Sequence, residues 1–151
     1  WMRGEVHDPR SYLLGGVAGH AGLFSSADDL AIYCQMLLNR GELHGVRILA
    51  PKIVDLMHMN HLPSALLPWE LGGQPVNGYG FGLGSRVLLN VAESALPGSV
   101  GEYGWAGNAG TLFWIDPKEQ LTAIYMVQVS DPDRIALRNQ FRTMVQAAII
   151  D

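Results

Sequence analysis

Gly104 to Pro117 reads GWAGNAGTLFWIDP, and this stretch organises the chain around it. Gly107 and Gly110 bracket a turn that leads into a strongly apolar run, Thr111 to Asp116. A second apolar run, Leu121 to Val129, follows after only Pro117-Lys118-Glu119-Gln120. Two apolar, aromatic-rich runs joined by a short polar connection predict an antiparallel hairpin. Upstream, before an expected loop from Asn90 to Tyr103, lies GYGFGLGSRVLL, in which Gly78, Gly80, Gly82 and Gly84 alternate with Tyr79, Phe81 and Leu83. In a strand that alternation leaves one bare face, against which another backbone can pack closely. Downstream, Asp131-Pro132 is placed to open a helix with Leu137, Phe141, Met144, Val145 and Ala148 on one stripe.

The first half reads as helices and loops. Residues 11 to 24, SYLLGGVAGHAGLF, are rich in glycine and small side chains. Ser26 with Asp29 forms a box-like cap. Leu30, Cys34, Leu37 and Leu38 then form one apolar stripe, and Gly41 is placed to end the helix. GELHGVRIL is expected to be a connector. Pro51 suits the first turn of a helix in which Ile53, Leu56 and Met57 share a face, and Leu62 to Asn77 is expected to be loop. Helices, then antiparallel strands, then a helix covering the sheet make the fold class α+β. We expect residues 1–77 to be mainly helices and loops and residues 78–151 to be strands plus the terminal helix.

Composition narrows the function. With 48% hydrophobic and 16% charged residues over 151 positions, the chain can bury a core. A formal net charge of -4 without a basic run offers no footprint for nucleic acid. No apolar stretch is long enough to span a bilayer as a helix. One cysteine, Cys34, excludes an internal disulfide and reads as core. No G-x-S-x-G or HExxH occurs, and no serine is followed three residues later by lysine. His58 and His61 form a close pair without a third ligand and read as surface residues. His7-Asp8 suggests capping or surface roles, because consecutive side chains diverge. No metal or organic cofactor is implied.

Three segments in order carry a resemblance. VHDPRSYLLGGVAGHAGLFSSADDLA is similar to the glycine-rich segment and following helix of the β-lactamase and penicillin-binding-protein superfamily of serine hydrolases. GYGFGLG resembles its Tyr-Gly-x-Gly strand. WAG in Trp105-Ala106-Gly107 resembles its third motif, with Trp105 where Lys or His stands and Ala106 where Thr stands; the W-x-G form looks like that of the bacterial carboxylesterases related to class C β-lactamases. The resemblance implies the C-terminal portion of such a fold, with the nucleophilic Ser and Lys of S-x-x-K and the second motif upstream. The chain opens at Trp1, five residues before the first of these segments, and we expect further protein before it.

Site expectations follow from that resemblance. The backbone N–H of Asn108, directly after Gly107 and expected on the strand, would be one of two oxyanion donors, and Gly107 would keep the approach open. Trp105, Ala106 and His20 would line the substrate site. Trp105 would stack on an apolar acyl or alcohol group and remove the cation that holds a carboxylate. Against these stand plainer readings: a tight lead into a strand for WAGNAG, a packing Trp105, and a hydrogen-bonded structural His20. The implied activity is a serine carboxylesterase acting through an acyl-enzyme; β-lactamase or DD-peptidase activity is the alternative on the same fold, and a non-catalytic peptide- or protein-binding module the alternative of another kind. The implied partners are a small ester or amide substrate and the N-terminal part of the same protein, and the chain alone is expected to be inactive.

Overall fold

Residues 112–116 are buried on both faces of their strand except for half-buried Phe113, and residues 121–125 are half-buried around a buried Ala123. The structure, a computed structural model, describes residues 2–129 and 133–150. Its centre is a five-stranded antiparallel sheet, in spatial order β5 (Tyr79–Phe81), β6 (Arg86–Leu88), β7 (Tyr103–Ala106), β8 (Leu112–Asp116) and β9 (Leu121–Tyr125). Registers pair Trp105 with Phe113 and Ala106 with Leu112, then Trp114 with Ala123. One face packs on α2 (Ala27–Leu38) and α3 (Pro51–Met57) through Cys34, Leu37, Val54, Val87, Tyr103 and Ile115. The opposite face presents Leu112, Trp114 and Ala123 to Phe141 and Val145 of α5 (Asp133–Ala147). A sheet with helices on both sides has no water-facing surface to satisfy, which is why Leu112 and Ile115 are both buried.

The expected hairpin is present as β8 and β9. The expected first strand of the second half is itself a hairpin: Gly82 to Ser85 turns the chain between β5 and β6, and the Gly82 N–H donates to the Ser85 carbonyl at 2.8 Å. The bare face is real at Gly80 and Gly82, where a Cβ would collide with the Asn60 side chain and the Met57 carbonyl. The segment after Asn90 is not all loop, since Asn90 caps a one-turn helix, α4 (Val91–Ser94).

Ser26 caps α2 as expected: its Oγ accepts from the Asp29 N–H at 3.1 Å and donates to the Asp29 carboxylate at 2.8 Å. The helix ends one residue differently. Arg40 takes the left-handed position (φ 56°), and the Gly41 N–H reaches back to the Met36 carbonyl at 2.8 Å. That pair of features is a Schellman ending. Gly41 is required for another reason: at φ 93° its Cα lies against the Leu49 backbone, where a Cβ has no room.

Four further expectations are corrected. GELHGVRIL is a hairpin, β1 (Glu42–Leu43) and β2 (Val46–Arg47), turned by His44 and Gly45 with φ of 51° and 80°, a pattern suited to a two-residue turn. Residues 62–77 contain a second hairpin, β3 (Trp69–Leu71) and β4 (Gln74–Val76), turned by Gly72-Gly73. In α3 the buried residue is Val54, whereas Ile53 and Leu56 are exposed. In α5 Leu137, Phe141 and Val145 lie on the inner side with Arg142, while Met144 and Ala148 are exposed. The expected opening at Asp131-Pro132 lies outside the described residues. A short helix that the glycine-rich segment concealed, α1 (Pro9–Leu13), begins on an Asp8 cap. Among the described residues no helix is long and apolar enough to cross a membrane.

Candidate active site

The WAG stretch sits where β7 turns into β8. Gly104 lies so close to the backbone of Phe113 and Trp114 that a Cβ would collide with both, which permits this strand pair to approach. Trp105 and Ala106 then point to opposite faces, as strand alternation requires. Ala106 packs with the Leu112–Trp114 cluster on the α5 side. Trp105 joins an aromatic cluster: its ring is 6.3 Å from that of Trp69, nearly parallel at 19°, and 5.2 Å from that of Phe81, edge to face. Trp69 and Phe81 also meet edge to face at 5.4 Å. The Trp69 Nε1–H donates to the Tyr79 carbonyl at 3.0 Å, which fixes the β3–β4 hairpin over β5. All three rings are half-buried.

The turn itself is a three-residue loop. The Gly107 N–H donates to the Thr111 carbonyl at 2.9 Å and the Gly110 N–H to the Gly107 carbonyl at 3.1 Å, with Gly110 at φ 100°. A glycine at that left-handed position is what such a loop needs. Asn108 is therefore in the turn and exposed, not on the strand as expected, because β7 ends at Ala106. Among the described residues no acceptor takes the Asn108 N–H. A Cβ at Gly107 would meet the Thr111 hydroxyl, so this glycine also leaves room across the hairpin. From α5, Arg138 reaches the turn: its Nε donates to the Gly110 carbonyl at 3.0 Å and its Nη2 to the Gly107 carbonyl.

His20 lies in a separate cluster. Its Nε2 is 2.9 Å from Asp8 Oδ1 and 3.4 Å from Ser11 Oγ. The Ser11 N–H and then His20 hold the Asp8 carboxyl down at about 2, so Asp8 is ionised and Nε2 bears the hydrogen it donates. Ser11, fully buried, donates to the Ala21 carbonyl at 3.1 Å. Both partners engage one ring nitrogen, so this is a clamp rather than a relay. No contact among the described residues links His20 to Trp105. Asp8 caps α1, as the His7-Asp8 reading anticipates.

His58 and His61 diverge. His58 stacks on Tyr103 at 3.7 Å, and its Nδ1 lies 2.9 Å from Ser85 Oγ; burial lowers its pKa to about 4. It is thus an interior neutral imidazole, not the surface residue expected. His61 is exposed and bonds the Leu56 carbonyl at 2.7 Å. Among the described residues no group of three side chains could hold a metal. Cys34 is fully buried, and burial pushes its thiol up to about 11, in line with a core role.

An antiparallel sheet with helices on both faces, ending its central strand in a glycine-bounded W-A-G turn, defines the C-terminal portion of a β-lactamase-like fold. The chain belongs to the Beta-lactamase family, whose sequence profile matches residues 1–147. It is 36% identical over 123 residues to an N-acetylmuramyl-L-alanine amidase of Bacillus subtilis, covering 80% of this chain and 25% of that protein. To a putative D-alanyl-D-alanine carboxypeptidase of Escherichia coli K12 it is 31% identical over 140 residues, covering 87% and 29%. Among solved structures it is similar to EstCE1, a hydrolase with promiscuous acyltransferase activity (TM-score 0.67, 26% identity, 83% of this chain and 31% of that one). It is also similar to simvastatin synthase, LovD, of Aspergillus terreus (TM-score 0.69, 25% identity, 93% and 38%). The chain spans less than a third of the length of these curated relatives.

Proposed function

We propose that this chain forms one wall of a serine carboxylesterase that works through an acyl-enzyme, with the nucleophilic serine supplied by a segment preceding Trp1. The observation that carries this reading is the Trp69–Phe81–Trp105 cluster, in which Trp105 stands where the resemblance puts the family's cation. A ring there offers apolar surface to an ester's acyl or alcohol group and no charge to a carboxylate. The solved relative described as a hydrolase with promiscuous acyltransferase activity supports acyl transfer as the chemistry. The serine Oγ attacks the ester carbonyl as the upstream lysine takes its proton, that proton is passed to the leaving alkoxide so that the alcohol departs, and water then hydrolyses the acyl-enzyme. The Asn108 N–H, with no acceptor in the turn, is the donor this chain brings to the oxyanion. His20 and Ala106 enter as residues lining the substrate site, Ala106 through its backbone beside Trp105.

The second reading, a D-alanyl peptide or β-lactam substrate, is favoured by the name of the Escherichia coli relative. Turnover of p-nitrophenyl butyrate, a D-alanyl-D-alanine peptide and a penicillin by the full-length protein separates the two. We expect ester turnover and fluorophosphonate labelling upstream of Trp1. Preferential turnover of the peptide or penicillin would favour the second reading. Stoichiometric labelling of Ser11, Ser25, Ser26, Ser64, Ser85, Ser94, Ser99 or Ser130 would overturn the nucleophile assignment.

A further inference from the structure

Helix α5 grips β7 at both ends. At the start of β7, Arg142 forms a buried ion pair with Glu102 and lies over the Trp114 ring, 4.4 Å from its centroid. Its Nη1 also donates to the Pro97 carbonyl at 3.3 Å. One helical turn earlier, Arg138 spans the β7–β8 turn by donating to the Gly107 and Gly110 carbonyls. These two carbonyls flank Asn108. The Gly107 carbonyl carbon is bonded directly to the Asn108 nitrogen, so a donor on the Gly107 oxygen bears on the plane of the peptide that carries the Asn108 N–H. That oxygen already accepts from the Gly110 N–H. With the guanidinium added it has two donors, and rotation of this peptide would break both bonds.

We propose that Arg138 is a positioning residue for the oxyanion donor: its planar fork pins the Gly107–Asn108 peptide so that the Asn108 N–H holds one direction through the reaction. The inference rests on the acyl-transfer reading above. Preorganisation is what makes such a donor effective, because a peptide free to swing must be reoriented as charge develops. Arginine suits the role where lysine does not, since a single ammonium on a flexible stem does not reproduce a rigid fork across two carbonyls.

The test uses the full-length protein, with Arg138→Ala, Arg138→Lys and Asn108→Pro compared. It reads kcat and KM for p-nitrophenyl butyrate, affinity for an alkyl trifluoromethyl ketone whose hemiketal carries the same oxyanion, and amide exchange at Gly107 and Gly110. In Arg138→Ala we expect kcat to fall by about 10-fold or more, approaching the loss of the donor itself, with KM within about twofold. Ketone affinity should fall by the same factor, and exchange at the two amides should accelerate. Arg138→Lys should lie between Arg138→Ala and the parent. A merely structural role would lower thermal stability without splitting kcat from KM. Unchanged exchange, or loosened amides with parental kcat, overturns the proposal. If Asn108→Pro keeps parental kcat in a folded protein, the oxyanion reading falls; if it is crippled while Arg138→Ala is not, that reading stands and the positioning role alone is lost.

Discussion

The rings of Trp69 and Trp105 lie 6.3 Å apart and nearly parallel, although one belongs to a hairpin outside the main sheet and the other to its central strand. This contact makes the β3–β4 hairpin part of the candidate site. Trp69→Ala and Trp105→Lys should therefore both lower kcat/KM for apolar esters by about 10-fold, each aromatic contact contributing about 1 kcal/mol beyond the area it buries. Trp105→Lys alone should raise acylation by a penicillin, through pairing with its carboxylate. Parallel kcat/KM measurements on an ester and a penicillin check this, and unchanged values for both variants would place the cluster outside the site.

Asn108 offers a contrast between side chain and backbone. Asn108→Ala keeps the N–H and should leave kcat within about 10-fold of the parent, whereas removing one oxyanion donor by Asn108→Pro should cost about 100- to 1,000-fold. Because the residue lies in an exposed turn, proline there disturbs no ladder bond of β7. Thermal melts separate lost catalysis from lost folding. Abolished turnover in a folded Asn108→Ala protein would assign the work to the side chain.

His58 should govern part of the acid limb of stability. Its folded pKa of about 4 lies below the unfolded value near 6.5, so the unfolded state takes up a proton first as pH falls. The stability its neutral form contributes is fully present above pH 6.5 and is lost as pH falls toward 4. His58→Phe keeps a ring on Tyr103 and removes the titration. Denaturant melts at pH 7, 5.5 and 4 should show a flatter decline in the variant than in the parent.

Glu102 and Arg142 form a buried pair, and cutting one partner strands the other. Arg142→Met should destabilise by about 3–5 kcal/mol, whereas Arg142→Met combined with Glu102→Leu should cost less than the single change. Urea unfolding of both variants measures the difference. Equal losses in the two would mean that the Glu102 carboxylate finds another hydrogen-bond donor once Arg142 is gone.

Local rules carried far in this chain. The Ser26 cap, the stripe through Cys34 and Leu37, and the β8–β9 hairpin all follow from side chains within a few residues of one another. The turn between Gly107 and Gly110 was equally legible, because only glycine tolerates the φ of 100° at its end. The hairpins at 42–47 and 69–76 were not. Their strands are two and three residues long, too short for a period to register, and Pro75 sits where a strand is not expected.

By itself the sequence determined which residues could form helices and strands and which segment bears the W-A-G turn, since those depend on neighbours along the chain. Only the tertiary structure decided that Trp69 and Phe81 meet Trp105, that His20 is clamped by Asp8 and Ser11, and that Arg138 and Arg142 turn inward from a helix whose Met144 faces water. A stripe of apolar letters predicts an inner face by hydrophobicity alone. Here the part-buried carbonyls of the β7–β8 turn and the buried carboxylate of Glu102 take donors from α5, and those bonds outweighed burying a methionine.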